Sequence, residues 1–136
     1  MRVVLDTNVL VSALIRGGKP RKLLNGLLGS EHELIISESI IEEFSRVTAD
    51  KKIRKYVNEG DITAFLRTLV FKATFVPLEA RVRVFNNADD DVLSTAKEGR
   101  AELIVTGDRH MLELKSFGHV KILTVEQAIS IVEAAS

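Results

Sequence analysis

The sequence predicts an α/β fold, in which helices cover both faces of a mainly parallel central sheet to form a three-layer α/β/α sandwich. Short apolar runs rich in Val, Ile and Leu alternate along the chain with segments of helical periodicity. This alternation is typical of parallel strands joined by crossover helices. Two of the apolar runs lead into an aspartate, which would then lie at the edge of the sheet where α/β proteins bind ligands.

The bulk composition limits the class of protein. With 136 residues, 46% of them hydrophobic, the chain is expected to form a single domain over residues 1–136 with a buried core. It has no cysteine, which excludes disulfides, thiolate metal sites and cysteine nucleophiles. Its 19 basic and 19 acidic residues balance, so binding to a nucleic acid would require a local basic patch.

Nothing in the sequence indicates a membrane protein. No apolar stretch approaches the roughly 18 residues that a spanning helix needs. The N-terminus begins as a strand, without the basic and apolar regions of a signal peptide. We therefore expect a cytoplasmic protein without membrane contact.

Hydrophobic periodicity predicts the order of the elements. Strands are expected at residues 2–5, 33–36, 74–78, 102–106 and 120–123, with a weaker candidate at 82–85. Helices are expected at residues 8–15, 20–29, 39–47, 51–58, 62–72 and 92–99, and after residue 124. Pro77 places the strand at 74–78 at an edge or strand end.

Local polar signals predict where three helices begin. Ser39 with Glu42, and Thr124 with Gln127, have the spacing of a capping box. Asp61 is the expected cap of the helix at 62–72.

Two strands lead to a carboxylate at their carboxyl ends. Residues 3–5 run into Asp6, and residues 103–105 run through Thr106 to Asp108. A carboxylate within a buried strand is costly unless a partner compensates it, but at the strand end it emerges into the ligand crevice. Several carboxylates meeting there would repel one another, and a divalent cation is the usual compensation. The pattern therefore indicates a metal site.

Helical geometry adds a glutamate to the candidates. On the helix at 39–47, Glu43 lies at the edge of the apolar stripe and Glu42 lies nearly opposite it. Glu43 is thus placed to point along the sheet surface, whereas Glu42 faces solvent. Taken alone, Glu43 fits equally well as a residue at the edge of the apolar stripe whose side-chain methylene groups are packed and whose carboxylate has no role in a site.

A run of three aspartates precedes the apolar face of the next helix. Asp89 projects onto that face, Asp90 lies to its side, and Asp91 points away. Asp89 would also serve as a helix cap. Three aspartates exceed what a cap needs, so we expect one or two of them to be ligands.

The remaining polar residues define the kind of site. His32, His110 and His119 lack the spacing of a histidine metal site and are expected to be surface or structural. A site with only oxygen ligands suits Mg²⁺ or Mn²⁺ rather than Zn²⁺. Two basic clusters, at residues 16–22 and 51–55, are the local patches available to a polyanion, although the second is more often a solvated face.

In this order the motifs resemble those of the PIN domain family. Residues 4–10, Val-Leu-Asp-Thr-Asn-Val-Leu, resemble its opening motif, and residues 37–47, with Glu43-Phe44, resemble its glutamate helix. Residues 89–96 and 104–108 resemble its closing acidic motifs. Thr-Gly-Asp followed by Met111-Leu112 is similar to the VapC-like branch of toxins from toxin–antitoxin pairs. The resemblance covers nearly the whole chain.

The resemblance implies a PIN-like fold and a metal-dependent endoribonuclease that uses Mg²⁺ or Mn²⁺ to hydrolyse RNA. It also implies an antitoxin protein as partner and a homodimer. The third acid stays open, because the register of the aspartate run can shift by one residue. The site residues it implies are four acids and two supporting polar residues: Asp6, Glu43, Asp89 or Asp90, Asp108, Asn8 and Thr106.

The segment predicted to be helical at 62–72 supports a homodimer physically. Its apolar side chains occupy more than one face: Ile62, Phe65, Leu66, Leu69, Val70 and Phe71. A single stripe facing a sheet would not need so many. Either the helix is deeply buried or part of it meets another chain.

Two other functions compete with a ribonuclease. Leu5-Asp6-Thr7-Asn8-Val9 also resembles the opening of haloacid-dehalogenase-type phosphatases, in which the first aspartate is a nucleophile. Here Asn8 replaces their second aspartate and cannot protonate a leaving group, and Glu43 would be unexplained. A catalytically silent PIN-type binding scaffold is the other alternative, because a fold does not fix a function.

Overall fold

The computed structural model describes residues 1–29 and 31–135. Its strands are β1 (Arg2–Leu5), β2 (Glu33–Ile36), β3 (Thr74–Phe75), β4 (Leu103–Val105), β5 (Ser116–Phe117) and β6 (Val120–Leu123). Its helices are α1 (Thr7–Ile15), α2 (Gly18–Leu27), α3 (Glu38–Thr48), α4 (Lys51–Arg54), α5 (Glu59–Lys72), α6 (Asp89–Glu98), α7 (Arg109–Leu114) and α8 (Val125–Ala135). None of these helices combines the length and the apolar character that crossing a membrane requires.

The six strands form one sheet in the order β3-β2-β1-β4-β6-β5. Every neighbouring pair is parallel except β5 with β6, which is antiparallel. β1 lies between β2 and β4, and its register places Leu5 opposite Val105. The carboxyl ends of β1 and β4 therefore lie side by side at one edge of the sheet.

The central strands are covered on both faces. Val3 and Val4 in β1, and Ile104 and Val105 in β4, are completely buried. Because consecutive side chains in a strand point to opposite faces, both faces must be packed. α6 packs on β1, β2 and β4, whereas α2 packs against both α1 and α8. This arrangement confirms the predicted three-layer α/β/α fold with a mainly parallel sheet.

Of the three predicted helix caps, two are wrong and one is confirmed. α3 begins at Glu38, directly after β2, so Ser39 lies inside the helix and forms no capping box with Glu42. Asn58 rather than Asp61 caps α5, because its Oδ1 accepts the backbone N–H of Asp61 at 2.8 Å. At α8, the backbone N–H of Thr124 donates to Gln127 Oε1 and that of Gln127 donates to Thr124 Oγ1, as predicted.

Several predicted elements are shorter than expected. The helix expected at 51–58 ends at Arg54, and the strand expected at 74–78 covers only Thr74–Phe75. β3 lies at the sheet edge, as Pro77 predicted. Residues 82–85 form no strand, since three of their backbone N–H groups donate to side chains instead of a neighbouring strand. The N–H of Val82 donates to Ser94 Oγ, and those of Val84 and Phe85 donate to Asp90 Oδ1. The structure adds α7 and β5, for which the sequence analysis had no prediction.

Candidate active site

A crevice opens at the carboxyl ends of β1 and β4, between the first turns of α1 and α6 and the middle of α3. Four carboxylates line it together with apolar and polar side chains of α1, α3 and α4. We call it the acidic crevice; it is lined by Asp6, Thr7, Asn8, Val11, Ser12, Ile15, Arg16, Glu43, Val47, Ile53, Asp89 and Asp108.

Asp6 is the most buried of these acids, with 6% of its surface exposed. Its backbone N–H donates to the carbonyl of Val105 at 2.9 Å, which extends the pairing of β1 with β4 to the rim of the crevice. Its Oδ2 accepts a hydrogen bond from Thr106 Oγ1 at 2.7 Å. Burial raises the pKa of Asp6, as do the charges of Glu43 and Asp108, and the Thr106 hydroxyl partly opposes the rise.

Thr106 joins the two strand-end aspartates. Its hydroxyl is completely buried, donates to Asp6 and accepts the backbone N–H of Asp108 at 3.0 Å. Asp108 then begins α7, where its Oδ1 accepts the backbone N–H of His110 at 2.8 Å. A longer contact of 3.5 Å joins Gly107 N–H to Asn8 Oδ1. The two predicted supporting residues, Asn8 and Thr106, therefore both contact the segment that carries Asp108.

Glu43 reaches the crevice from the middle of α3. It is partly buried, whereas Glu42 is exposed, which agrees with the face that each was predicted to occupy. Thr7 Oγ1 donates to Glu43 Oε2 at 3.4 Å and so links α3 to the start of α1.

Asp89 lies in the first turn of α6 and faces the other acids. Its pKa is raised to about 7, first by burial and then by the negative charges of Asp108 and Asp6. A hydrogen bond between the Asp89 and Asp108 carboxyls and the charge of Glu43 act in the same direction. Like-charge crowding of this kind favours one protonated carboxyl when no cation is bound.

Asp90 points elsewhere. Its carboxylate accepts three backbone N–H groups, from Val84 and Phe85 on Oδ1 at 3.0 and 2.8 Å and from Asn86 on Oδ2 at 2.8 Å. Burial alone would raise the pKa of Asp90, but these hydrogen bonds and the charge of Arg83 outweigh it, and the net pKa is lowered. Because these bonds occupy Asp90 outside the crevice, it is not one of the clustered acids, and Asp89 is the member of this pair that lines the crevice.

Asp91 and the histidines also lie apart from the crevice lining. Asp91 pairs with Arg81, and His32 is buried with its Nδ1 3.0 Å from the N-terminal amine of Met1. Within residues 1–29 and 31–135, no three acidic or histidine side chains already surround a common point at metal-binding distances. The crevice offers only oxygen donors for a metal, the donors that Mg²⁺ and Mn²⁺ prefer.

Sequence analysis named Asn8 and Arg16 but missed that they belong to a polar stripe on α1 with Thr7 and Ser12. Thr7, Asn8, Ser12 and Arg16 are the polar residues of an otherwise apolar segment, and all four line the acidic crevice. Asn8, Ser12 and Arg16 are spaced four residues apart, which places them on one face of a helix. That spacing was visible in the sequence and would have identified the face of α1 that borders the site.

Comparison with known proteins agrees with the fold and the motifs. A family model described as PIN domain matches residues 2–110. An uncharacterized protein of Methanocaldococcus jannaschii is 31% identical over 118 residues, which cover 85% of this chain and 76% of that protein. A chain in the crystal structure of VapBC2 from Rickettsia felis, bound to a DNA fragment from their promoter, superposes with a TM-score of 0.63. That match has 16% identity and covers 91% of this chain and 98% of the other, so it is a likeness of fold.

The neighbouring aspartates should respond oppositely to removal of their charge. Asp90→Asn places an amide where three backbone N–H groups need acceptors, so we expect the free energy of unfolding to fall by about 1–3 kcal/mol. Asp89→Asn removes one of several crowded carboxylates and should leave the stability of the metal-free protein unchanged or higher. Urea unfolding in EDTA measures both. A larger loss of stability for Asp89→Asn than for Asp90→Asn would contradict these assignments.

Stability of the metal-free protein should depend on pH through Asp89. Between the ordinary aspartate pKa of 3.8 and the value of about 7, folded Asp89 retains a proton that the unfolded chain releases, so stability falls as pH rises through this window. We expect the Tm of the wild type, relative to that of Asp89→Asn, to rise when the pH is lowered from about 8 to about 5.5. Calorimetry in EDTA tests this; a difference that does not change with pH would refute it.

Proposed function

We propose that this chain, which belongs to the PIN domain family, is a metal-dependent endoribonuclease that hydrolyses RNA phosphodiester bonds in the acidic crevice. The observation that carries the proposal is that Asp6, Glu43, Asp89 and Asp108 share one crevice at the end of the sheet. Family membership agrees with the resemblance of its sequence motifs. It also disfavours the phosphatase alternative, in which Glu43 would have no role.

The donor set fits a divalent cation. The charges of Asp108, Asp6 and Glu43 all raise the pKa of Asp89, and a cation held among these oxygens would offset that repulsion. Mg²⁺ or Mn²⁺ bound there would supply activation of a water molecule and neutralisation of charge on the phosphate. Asp6 and Asp108, which are fixed at adjacent strand ends, are the proposed direct ligands, and Asp89 is the proposed third.

The chain's own side chains would position these groups and transfer a proton. Thr106 holds the carboxylate of Asp6 and the backbone of Asp108, so it acts as a positioning residue for both. Asn8 contacts the preceding residue, Gly107. Glu43 has only the long hydrogen bond from Thr7 among the described residues, and we assign it the acceptance of a proton from the attacking water.

We infer that the chain forms a homodimer and acts as the toxin of a toxin–antitoxin pair. The fold likeness to a chain of VapBC2 from Rickettsia felis supports the second part. Helix α5 supports the first: Ile62 and Leu69 are buried in the core, but Val70 and Phe71 are 54% and 86% exposed. An apolar surface of this kind is typical of an association site. Co-expression of this chain with the neighbouring small open reading frame tests directly for an antitoxin.

RNA cleavage should require Mg²⁺ or Mn²⁺ and four crevice carboxylates. We expect Asp6→Asn, Glu43→Gln, Asp89→Asn and Asp108→Asn each to lower kcat/KM by more than about 100-fold, since even residues that only orient metal ligands cost 10–100-fold. The matched control is Asp91→Asn, which changes the same kind of side chain outside the crevice and should retain activity. The measurement is cleavage of a labelled RNA with each cation and with EDTA.

Three outcomes would decide against this function. Cleavage that persists in EDTA and in Asp6→Asn would indicate a contaminating nuclease. Full activity in Asp108→Asn would exclude the acidic crevice as the active site. RNA binding without cleavage under any cation would favour the silent scaffold.

The homodimer should depend on the exposed end of α5. We expect light scattering at micromolar concentration to give a dimer for the wild type and a monomer for Phe71→Asp, because a charge in an apolar interface would be desolvated without a partner. Ser45→Asp is the control, since it adds the same charge at an exposed position of α3. A wild-type monomer, or a Phe71→Asp dimer, would rule out this interface.

A further inference from the structure

A basic segment with an exposed aromatic ring borders the acidic crevice. It consists of α4 and the two residues after it, 51–56, with the sequence Lys-Lys-Ile-Arg-Lys-Tyr. Ile53 of this segment lines the crevice, as does Arg16 at the end of α1. We call residues 51–56 the α4 platform. Its position makes it a continuation of the crevice wall.

Three of the four cations of the α4 platform are available to a ligand, whereas Arg54 pairs with Glu59 and donates to the carbonyl of Thr48. Lys51, Lys52 and Lys55 are exposed, and none of them forms an ion pair with any residue in the described ranges 1–29 and 31–135. Arg16, on the adjoining rim, is exposed and has no such pair with those residues either. In a chain whose formal net charge is zero, this segment places four basic residues within five positions, 51–55, beside a crevice lined by four carboxylates.

Tyr56 is the chain's single tyrosine and is 72% exposed. The ring contacts among the described residues involve Phe44, Phe65 and Arg21, so no ring or guanidinium of that part of the chain covers Tyr56. A large apolar ring left in water beside unpaired lysines has the composition of a surface that binds single-stranded nucleic acid, where bases stack on aromatic rings and cations contact phosphates.

The backbone under the ring is well anchored. Asp50 Oδ1 accepts the N–H of Lys52 at 2.8 Å, and the N–H groups of Tyr56 and Val57 both donate to the carbonyl of Ile53, at 2.9 and 3.3 Å. Val57 is buried in the core, while Ile53 contacts the crevice. The backbone at Tyr56 is therefore fixed between a core residue and a crevice residue. With the backbone anchored, only the side-chain rotation of Tyr56 remains to be ordered when a base stacks on the ring.

We propose that the α4 platform is a binding subsite for single-stranded RNA, in which Tyr56 stacks on an unpaired base and Lys51 and Lys52 contact the adjoining phosphates. The inference rests on the proposed function and extends it, because it assigns the path by which the RNA strand leaves the acidic crevice. Duplex RNA buries the faces of its bases, so it offers Tyr56 nothing to stack on. The subsite thus selects unpaired RNA.

Equilibrium binding tests the subsite separately from cleavage. The probe is a fluorescein-labelled single-stranded RNA of mixed sequence, titrated by anisotropy against the full chain in EDTA. We expect Tyr56→Ala to weaken binding by about 5- to 100-fold, and Tyr56→Phe, which retains the ring, to bind as the wild type does. Phe75→Ala is the matched control: it removes another exposed aromatic, on the edge strand β3, and should leave RNA affinity unchanged.

Salt dependence and a duplex probe test the remaining contacts. Replacing Lys51 and Lys52 with Ala should reduce the slope of log affinity against log salt by about 1.4, since each single-strand phosphate contact contributes about 0.7. Tyr56→Ala should have no effect on a duplex of the same sequence.

Failure of the subsite and failure of the nuclease are distinguishable. Cleavage by wild type with unchanged affinity and KM in Tyr56→Ala would overturn the subsite and leave the nuclease standing. Tyr56-dependent binding without cleavage would support the subsite and overturn the nuclease. A change of oligomeric state in Tyr56→Ala, with RNA affinity unchanged, would assign the ring to a protein contact and overturn the subsite.

Discussion

The parallel pairing of β1 with β4 brings together side chains that are a hundred positions apart in sequence. Because Leu5 lies opposite Val105, Asp6 and Thr106 emerge at the same level of the sheet, and one buried hydroxyl spans the gap between Asp6 and the backbone of Asp108. A hydroxyl has a single proton to donate, and here it is directed at Asp6. The other elements of the crevice are arranged around this pair: α1 begins at one aspartate, α7 begins at the other, and α6 packs on both strands.

The start of α6 shows how the same residue type is given opposite environments within one turn. Asp90 is surrounded by backbone donors from residues 84–86, whereas Asp89 is surrounded by other carboxylates. The first arrangement stabilises the charged form and holds the loop before α6 against the helix. That anchoring fixes the helix start and thereby keeps Asp89 directed at the crevice. The favourable hydrogen bonds of Asp90 thus support the electrostatically unfavourable cluster of carboxylates around Asp89.

The parts of the structure that were predictable from sequence are those with a repeated physical signal. Buried strands have continuous apolar runs, and their carboxyl ends identified Asp6 and Asp108. The helical face analysis separated Glu43 from Glu42. It did not anticipate that Asp90 would bind residues 84–86, because those contacts depend on a loop without periodicity. The start of α3 was misjudged because Ser37 and Ser39 are both acceptable caps, and only the end of β2 decides between them.

Short elements escaped prediction for a related reason. β5 has two residues and exists through its antiparallel pairing with β6 across Gly118, which has a positive φ of 61°. Two residues are too few to show an alternation. Likewise α7 has six residues and is started by the Asp108 cap, so its helical pattern is too brief to stand out from a loop.

The crowding of carboxylates in the crevice has a consequence for how such a chain would drift over generations. Every substitution that removes the charge of one of these acids relieves repulsion in the folded protein. Selection for stability alone would therefore favour lineages that lose them. The presence of all four in one crevice of this chain marks a position where folding and another requirement act in opposite directions. The same logic makes a lineage that has lost the requirement recognisable: its crevice would become neutral before its core changed.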